Sequence, residues 1–254
     1  MLKLMKYEFR KNRMGLAVMV GIAAGLFALA PLGKALDKGE LMLISVFTLF
    51  CYAFAAYIYV LVQGITAYSG ELRGKTGYLL MMVPRSTMSI LFGKLLFTFA
   101  FALVMLAISA LALCASGAIL LGEIYEVKSV LELARILLAQ SGFDIAMVAY
   151  MALYIAAGIL TSVLAVVAIG YLAVTLSATL LQNGKLRGVL SFLFFAVLIA
   201  LMAYLQNRVT PDVTLYASYT EALRSALPGM LMDLALTCAF TALSAVLLKK
   251  KVSL

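Results

Sequence analysis

The sequence predicts an all-α integral membrane protein with six transmembrane helices, and three observations lead there. Hydrophobic residues fill 65% of the 254 positions and charged residues only 12%. With a mean hydropathy of +1.11, the chain lies far outside the range of soluble domains. The apolar residues also gather into runs near the ~20 residues that a helix rising ~1.5 Å per residue needs to cross a ~30 Å hydrocarbon core. Finally, the runs are continuous rather than alternating, which favours helices over a β-barrel, because backbone polar groups in lipid must be satisfied within their own segment.

Residues 1–13, MLKLMKYEFRKNR, set Leu2, Met5 and Phe9 on one side at helical spacing and Lys3, Lys6, Arg10 and Arg13 largely on the other. This pattern predicts either an amphipathic elbow helix lying on the inner leaflet before the first span or a solvated basic tail. The spans are expected over 14–32, 41–67, 90–121, within 145–181, over 189–205 and over 227–248. Ala28-Leu29-Ala30 imitates a signal-peptide cleavage site, but the apolar run exceeds a typical signal core and Pro31 follows, so the first span is expected to be retained. The fourth run carries no charge from Ile145 to Gln182, more than one bilayer thickness, and Gly158 and Gly170 are its only turn candidates. A second crossing there would reverse the sidedness of everything after it, so one long or tilted helix is expected.

Orientation follows from the cations. With both termini cytoplasmic, fourteen of the twenty Lys and Arg residues fall inside: Lys3, Lys6, Arg10, Lys11, Arg13, Arg73, Lys75, Arg85, Lys94, Lys185, Arg187 and Lys249 to Lys251. Six fall outside, namely Lys34, Lys38, Lys128, Arg135, Arg208 and Arg224, in keeping with the positive-inside rule. Nine of the eleven acids lie outside or near the outer ends, with only Glu8 and Glu71 inside. The basic inner face suits anionic lipid headgroups as well as an acidic protein partner, so the net charge of +9 does not argue for nucleic acid.

Two outer loops, 122–143 and 206–227, have patterns of their own. Ile124, Val127, Leu131, Ala134 and Leu138 recur at helical spacing opposite Lys128, Glu132 and Arg135, which predicts a helix on the outer interface. After Thr210-Pro211-Asp212, Tyr216, Tyr219 and Leu223 fit either a shorter helix closed by Pro228-Gly229 or an ordinary loop with interfacial tyrosines. No tandem repeat and no stretch of soluble-domain length interrupts the chain, so residues 1–254 read as one membrane domain.

The residues offer little for catalysis. There is no histidine, which removes the commonest general base and metal ligand. Cys51, Cys114 and Cys238 each sit inside an apolar run and read as small hydrophobes rather than a disulfide or metal set. Gly70-Glu71-Leu72-Arg73-Gly74-Lys75-Thr76 imitates a phosphate-binding loop, yet it has three residues between the glycines where four are needed, and no strand precedes it. Asp144 stands at the mouth of the fourth span and Asp233 about two turns into the sixth, where it fits either a cavity lining or the hydrated interface.

The one long polar interruption, 69–94, reads SGELRGKTGYLLMMVPRSTMSILFGK. A short helix along the cytoplasmic surface would present Tyr78, Leu79, Met81 and Met82, ringed by Arg73, Lys75 and Arg85 and ended by Pro84, a composition that suits a protein interface. The order Glu71, Thr76-Gly77, Leu79-Leu80, Pro84, Ser86, Ile90 and Lys94 resembles the coupling-loop pattern of type-2 permeases of ATP-binding-cassette exporters. It departs from that pattern at Thr87, where the family usually carries Arg or Lys, and Arg85 supplies a charge one side over. The elbow helix, the six spans and the outer helices are similar in layout to the same family.

The resemblance implies a permease subunit that forms a homodimer or heterodimer and docks a separate ATPase through a coupling loop at 69–90. In that reading Glu71 pairs with a basic group of the ATPase, Tyr78 and Leu79 fill its groove, and Pro84, Arg85 and Ser86 complete the contact. ATP and Mg would be bound by the partner, with no cofactor and no enzyme activity in this chain. A hydrophobic or amphipathic substrate, such as a peptide antibiotic, drug or lipid, would pass along Tyr52, Tyr57, Tyr59, Gln63 and Phe195. Two rival readings remain: an ion-coupled secondary carrier, which should show charged groups deep in spans and an inverted repeat, neither of which is evident, and a non-transporting membrane scaffold, which fits the spans but leaves 69–94 unexplained.

Overall fold

The computed structural model describes residues 2–73, 87–125, 145–180, 187–209 and 219–252, and all of these are helical except 36–38 and Tyr125. Six helices result: α1 Leu2–Ala35, α2 Gly39–Arg73, α3 Thr87–Ile124, α4 Ile145–Leu180, α5 Arg187–Val209 and α6 Tyr219–Val252. Each is long and apolar enough to span a bilayer, as expected for a chain whose apolar runs leave the backbone no other partner in lipid.

The helices run past the predicted spans. At 38 residues, α3 is about 57 Å long at ~1.5 Å per residue, nearly twice a ~30 Å hydrocarbon core. The fourth apolar run is a single 36-residue helix, with Gly158 and Gly170 both inside it. Residues 2–13 form no separate elbow element, since the backbone stays helical from Leu2 to Ala35. Likewise, Pro228 does not close an outer helix ahead of the last span. It lies within α6, where the loss of one backbone donor is tolerated by the turns on either side. Residues 69–73 belong to the end of α2 and Thr87 opens α3, so of the expected coupling loop 69–90 the residues 74–86 lie outside the described ones.

The connection between α1 and α2 is only three residues long. Lys38 N–H donates to Gly33 O at 2.9 Å and Asp37 N–H to Lys34 O at 3.3 Å, which satisfies carbonyls that the end of α1 leaves open. Asp37 takes φ 56° to make the turn, the left-handed region that Asp enters more readily than most residues. Gly33 is required by proximity, because a Cβ there would lie 3.0 Å from both the Leu41 Cβ and the Met42 backbone nitrogen.

The described residues belong to two compact units. One contains Phe9–Val60 and Phe101–Ala156. One core cluster in it is formed by Ala23, Tyr52 and Ala56, flanked by Met19, Leu26 and Ile108. Alanines there allow backbones to approach closely, the usual basis of helix association where lipid removes the hydrophobic driving force. Two hydroxyls tie α2 to α1, Tyr52 donating to Met19 O at 3.0 Å and Ser45 to Leu26 O at 2.9 Å. The Tyr59 and Phe101 rings meet at 6.0 Å, and Lys34 pairs with Glu123 at 3.3 Å on an exposed edge.

The other unit contains Met1–Glu8, Leu61–Ala100 and Ala157–Leu254. Ala165 and Ile169 of α4 pack with Met202 of α5, and Phe195, Leu198, Ile199, Leu236 and Phe240 extend this into a seam between α5 and α6. Elsewhere α5 leaves Phe192, Leu193, Val197, Leu201 and Tyr204 exposed, a surface that acyl chains or another apolar partner would solvate.

Candidate functional site

Four helix ends meet in the second unit: the start of α1, the end of α2, the start of α3 and the end of α4. Glycine makes the approach possible. A Cβ on Gly64 of α2 would sit 3.0 Å from Val167 Cγ2 of α4 and 3.1 Å from Thr98 Cγ2 of α3. One on Gly170 of α4 would come within 2.6 Å of Ile65 Cγ1, closer than carbon atoms pack.

Into this junction the sequence sends an ion pair. Lys94 Nζ of α3 lies 3.0 Å from Glu8 Oε1 of α1, with both side chains only 2% exposed. Lys94 also donates to the Ala67 carbonyl oxygen of α2 at 3.3 Å, so a single ammonium holds three helices. Glu8 Oε2 is buried and accepts no hydrogen bond. Desolvating both charges is costly, and the pair persists because separating its members would cost more.

The next residue of α2, Tyr68, completes the junction toward α4. Its hydroxyl lies 2.7 Å from Thr175 Oγ1, and Thr175 Oγ1 lies 2.7 Å from Tyr171 O. A threonine hydroxyl has one proton to give. Since that proton goes to the carbonyl, Tyr68 is the donor in the first bond. The Tyr68 and Tyr171 rings meet at 4.6 Å and 41°, and Tyr171 is fully buried.

This junction is the footing of 74–86, because α2 leads into that segment and α3 leads out of it. Tyr78, Leu79, Pro84, Arg85 and Ser86 lie outside the described residues, as does the side chain of Glu71, whose backbone belongs to α2. The expected substrate-path residues divide between the units. Tyr52 is 5% exposed and bonded to α1, so it acts in helix packing. Tyr57 and Tyr59 are half-buried, with Tyr59 against Phe101. Gln63 is half-buried and accepts a hydrogen bond from Thr66 at 3.3 Å. Phe195 belongs to the α5–α6 seam.

Glu8 was missed by sequence reasoning, although a signal was present: it shares a helix face with Met5 and Asn12, three and four residues away, inside an otherwise basic segment. Lys94, one of the cations counted to the inner side, is 2% exposed and paired with Glu8, so it does not face headgroups. Asp233, left open between cavity and interface, is 5% exposed and takes a 2.8 Å hydrogen bond from Gln206. The three cysteines are free and exposed, and among the described residues no three His, Cys, Asp or Glu side chains cluster as a metal would require.

Six apolar helices with a polar junction at one set of ends define a multi-pass membrane protein. No family model, no curated protein and no solved structure matches the chain.

Proposed function

We propose that this chain is the membrane-spanning permease subunit of an ATP-binding-cassette exporter, with its termini on the cytoplasmic side of the cell membrane, and that a separate ATPase docks on 74–86. The observation that carries the reading is the Lys94 junction. A docking loop transmits force only if its two flanking helices cannot yield independently, and a single buried ammonium joins α2, α3 and the first turns of α1. Movement imposed on 74–86 by a nucleotide-driven partner would reach α1 to α4 together, the kind of rigid element through which a two-state change is passed.

In this reading a second permease subunit covers part of the exposed face of α5, and a hydrophobic or amphipathic substrate moves past Tyr57, Tyr59, Gln63 and Phe195. The chain supplies no catalysis, and ATP and Mg stay with the partner. The test is affinity purification of the full chain from its native membrane, followed by ATP-dependent efflux in reconstituted vesicles. A P-loop ATPase is expected to co-purify, and Pro84→Ala with Arg85→Glu is expected to remove both its association and the efflux. Efflux that survives this double change, or labelling that puts 74–86 outside the cell, would reject the proposal.

A second reading, an ion-coupled carrier, draws on Asp233, a carboxyl buried within a span. Export that stops on ATP depletion but survives collapse of the proton gradient would exclude it.

A further inference from the structure

The two buried carboxyls among the described residues are treated in opposite ways. Glu8 has Lys94 at 3.0 Å. Asp233, at 5% exposure in the span Leu227–Lys249, pairs with no cation among the described residues: its side chain accepts one hydrogen bond, 2.8 Å from the neutral Gln206 amide of α5. Arg208, two residues beyond Gln206, is exposed and engaged with Tyr204, its guanidinium 5.4 Å from the ring centre and 3.3 Å from the hydroxyl. A carboxylate this little exposed needs a neutralising partner, because neither lipid nor a neutral amide balances the charge.

The surroundings narrow what that partner is. Thr237, one turn along α6 and also buried, gives its hydroxyl proton to Asp233 O at 2.7 Å, so its oxygen offers only lone pairs to a neighbour. Both polar side chains that α6 presents there are therefore acceptors. From this point the seam of Met202, Leu236, Ile199, Phe240 and Phe195 continues between α5 and α6 without a charge. An acceptor pair at one end of an apolar, aromatic-lined seam is complementary to a molecule with a positive end and an apolar body.

We propose that Asp233, oriented by Gln206, is the charge-recognition point of a binding site for lipophilic monovalent cations between α5 and α6. The cation supplies the countercharge that the chain withholds from Asp233, and the seam receives the apolar remainder. Gln206 is a positioning residue, fixing one carboxylate oxygen so that the other faces the ligand.

The test uses the purified full chain in detergent, without any ATPase, so its outcome is separable from the fate of the export reading. Tetraphenylphosphonium serves as the probe, with uncharged triphenylphosphine oxide as the comparison, and binding is read by scintillation proximity. Saturable cation binding is expected, weakened about tenfold or more by Asp233→Asn, which preserves shape and the Gln206 contact. Affinity for the neutral compound is expected to be unchanged. Gln206→Glu, which adds negative charge, is expected to tighten cation binding, so the proposal stays testable if Asp233→Asn fails to fold. Equal cation affinity in the wild type and Asp233→Asn would overturn it. So would a wild type that takes no cation but shows an infrared carboxylic-acid band at neutral pH that Asp233→Asn removes, since the occupant would then be a proton alone.

Discussion

Replacing Lys94 with Met removes the ammonium from the junction of α1, α2 and α3 while leaving the Glu8 carboxylate buried among them. Both side chains are 2% exposed, so water cannot take over the lost interaction, and breaking one half of such a pair costs about 3–5 kcal/mol. Removing both charges together, as Glu8→Gln with Lys94→Met, leaves no orphan charge and is expected to cost far less. The cycle of the two single variants and the double variant should then give a coupling of about 3 kcal/mol, more than ~100-fold in the unfolding equilibrium. That exceeds the ~0.6 kcal/mol typical of neutral hydrogen bonds between membrane helices. The assay is reversible unfolding in mixed micelles titrated with dodecyl sulfate and followed by circular dichroism. Glu123→Gln provides the contrast, because the Lys34–Glu123 pair is 55% and 45% exposed and pairs of that kind contribute about 0–1 kcal/mol. If the two junction variants add within ~0.5 kcal/mol, the ion pair is not coupled and the argument for a rigid footing fails.

Three further outcomes follow from the packing. Gly64→Leu and Gly170→Leu should each destabilise the fold by about 1–3 kcal/mol or more by overpacking, whereas Gly21→Ala and Gly25→Ala, with nothing within 4 Å of a new Cβ, should be neutral or slightly stabilising; the same micelle titration ranks them. Tyr68→Phe should cost about 1 kcal/mol by deleting the bond to Thr175 while keeping the ring against Tyr171, and adding Thr175→Val should cost less than the sum of the separate changes. At the α1–α2 turn, Asp37→Gly should be neutral or raise the melting temperature by a few degrees, because glycine adopts φ 56° without strain. Gly33→Ala, which meets Met42 N at 3.0 Å, should lower it.

Much of the architecture could be read in the sequence because lipid imposes a simple rule: an uninterrupted apolar run long enough to cross must be a helix. That rule identified all six spans and correctly kept the fourth run as one helix despite two glycines. It fails at helix ends, where the rule no longer applies. Residues 69–73 are polar, and polarity suggested a loop, yet backbone hydrogen bonding carries α2 on to Arg73. Pro228 misled for a related reason, since a proline usually ends a helix in water but survives inside one where neighbouring turns hold it. The polar junction was half legible. Lys94 was singled out by its motif and Glu8 was not, because the partner lies 86 residues away and the apolar face around Glu8 does not say which cation will meet it. Which of two intramembrane carboxyls gains a countercharge is decided by tertiary placement alone.

The separations between bonded residues also bear on how the chain is assembled during synthesis. The α1–α2 hairpin closes through partners 19 and 33 residues apart, so it can form once the second span has left the ribosome. Glu8, by contrast, must wait for a lysine on the third. Until then Glu8 has only the neighbouring cations of its own segment, Lys6, Arg10 and Lys11 among them, and the three-helix junction can close only after translation has passed Lys94.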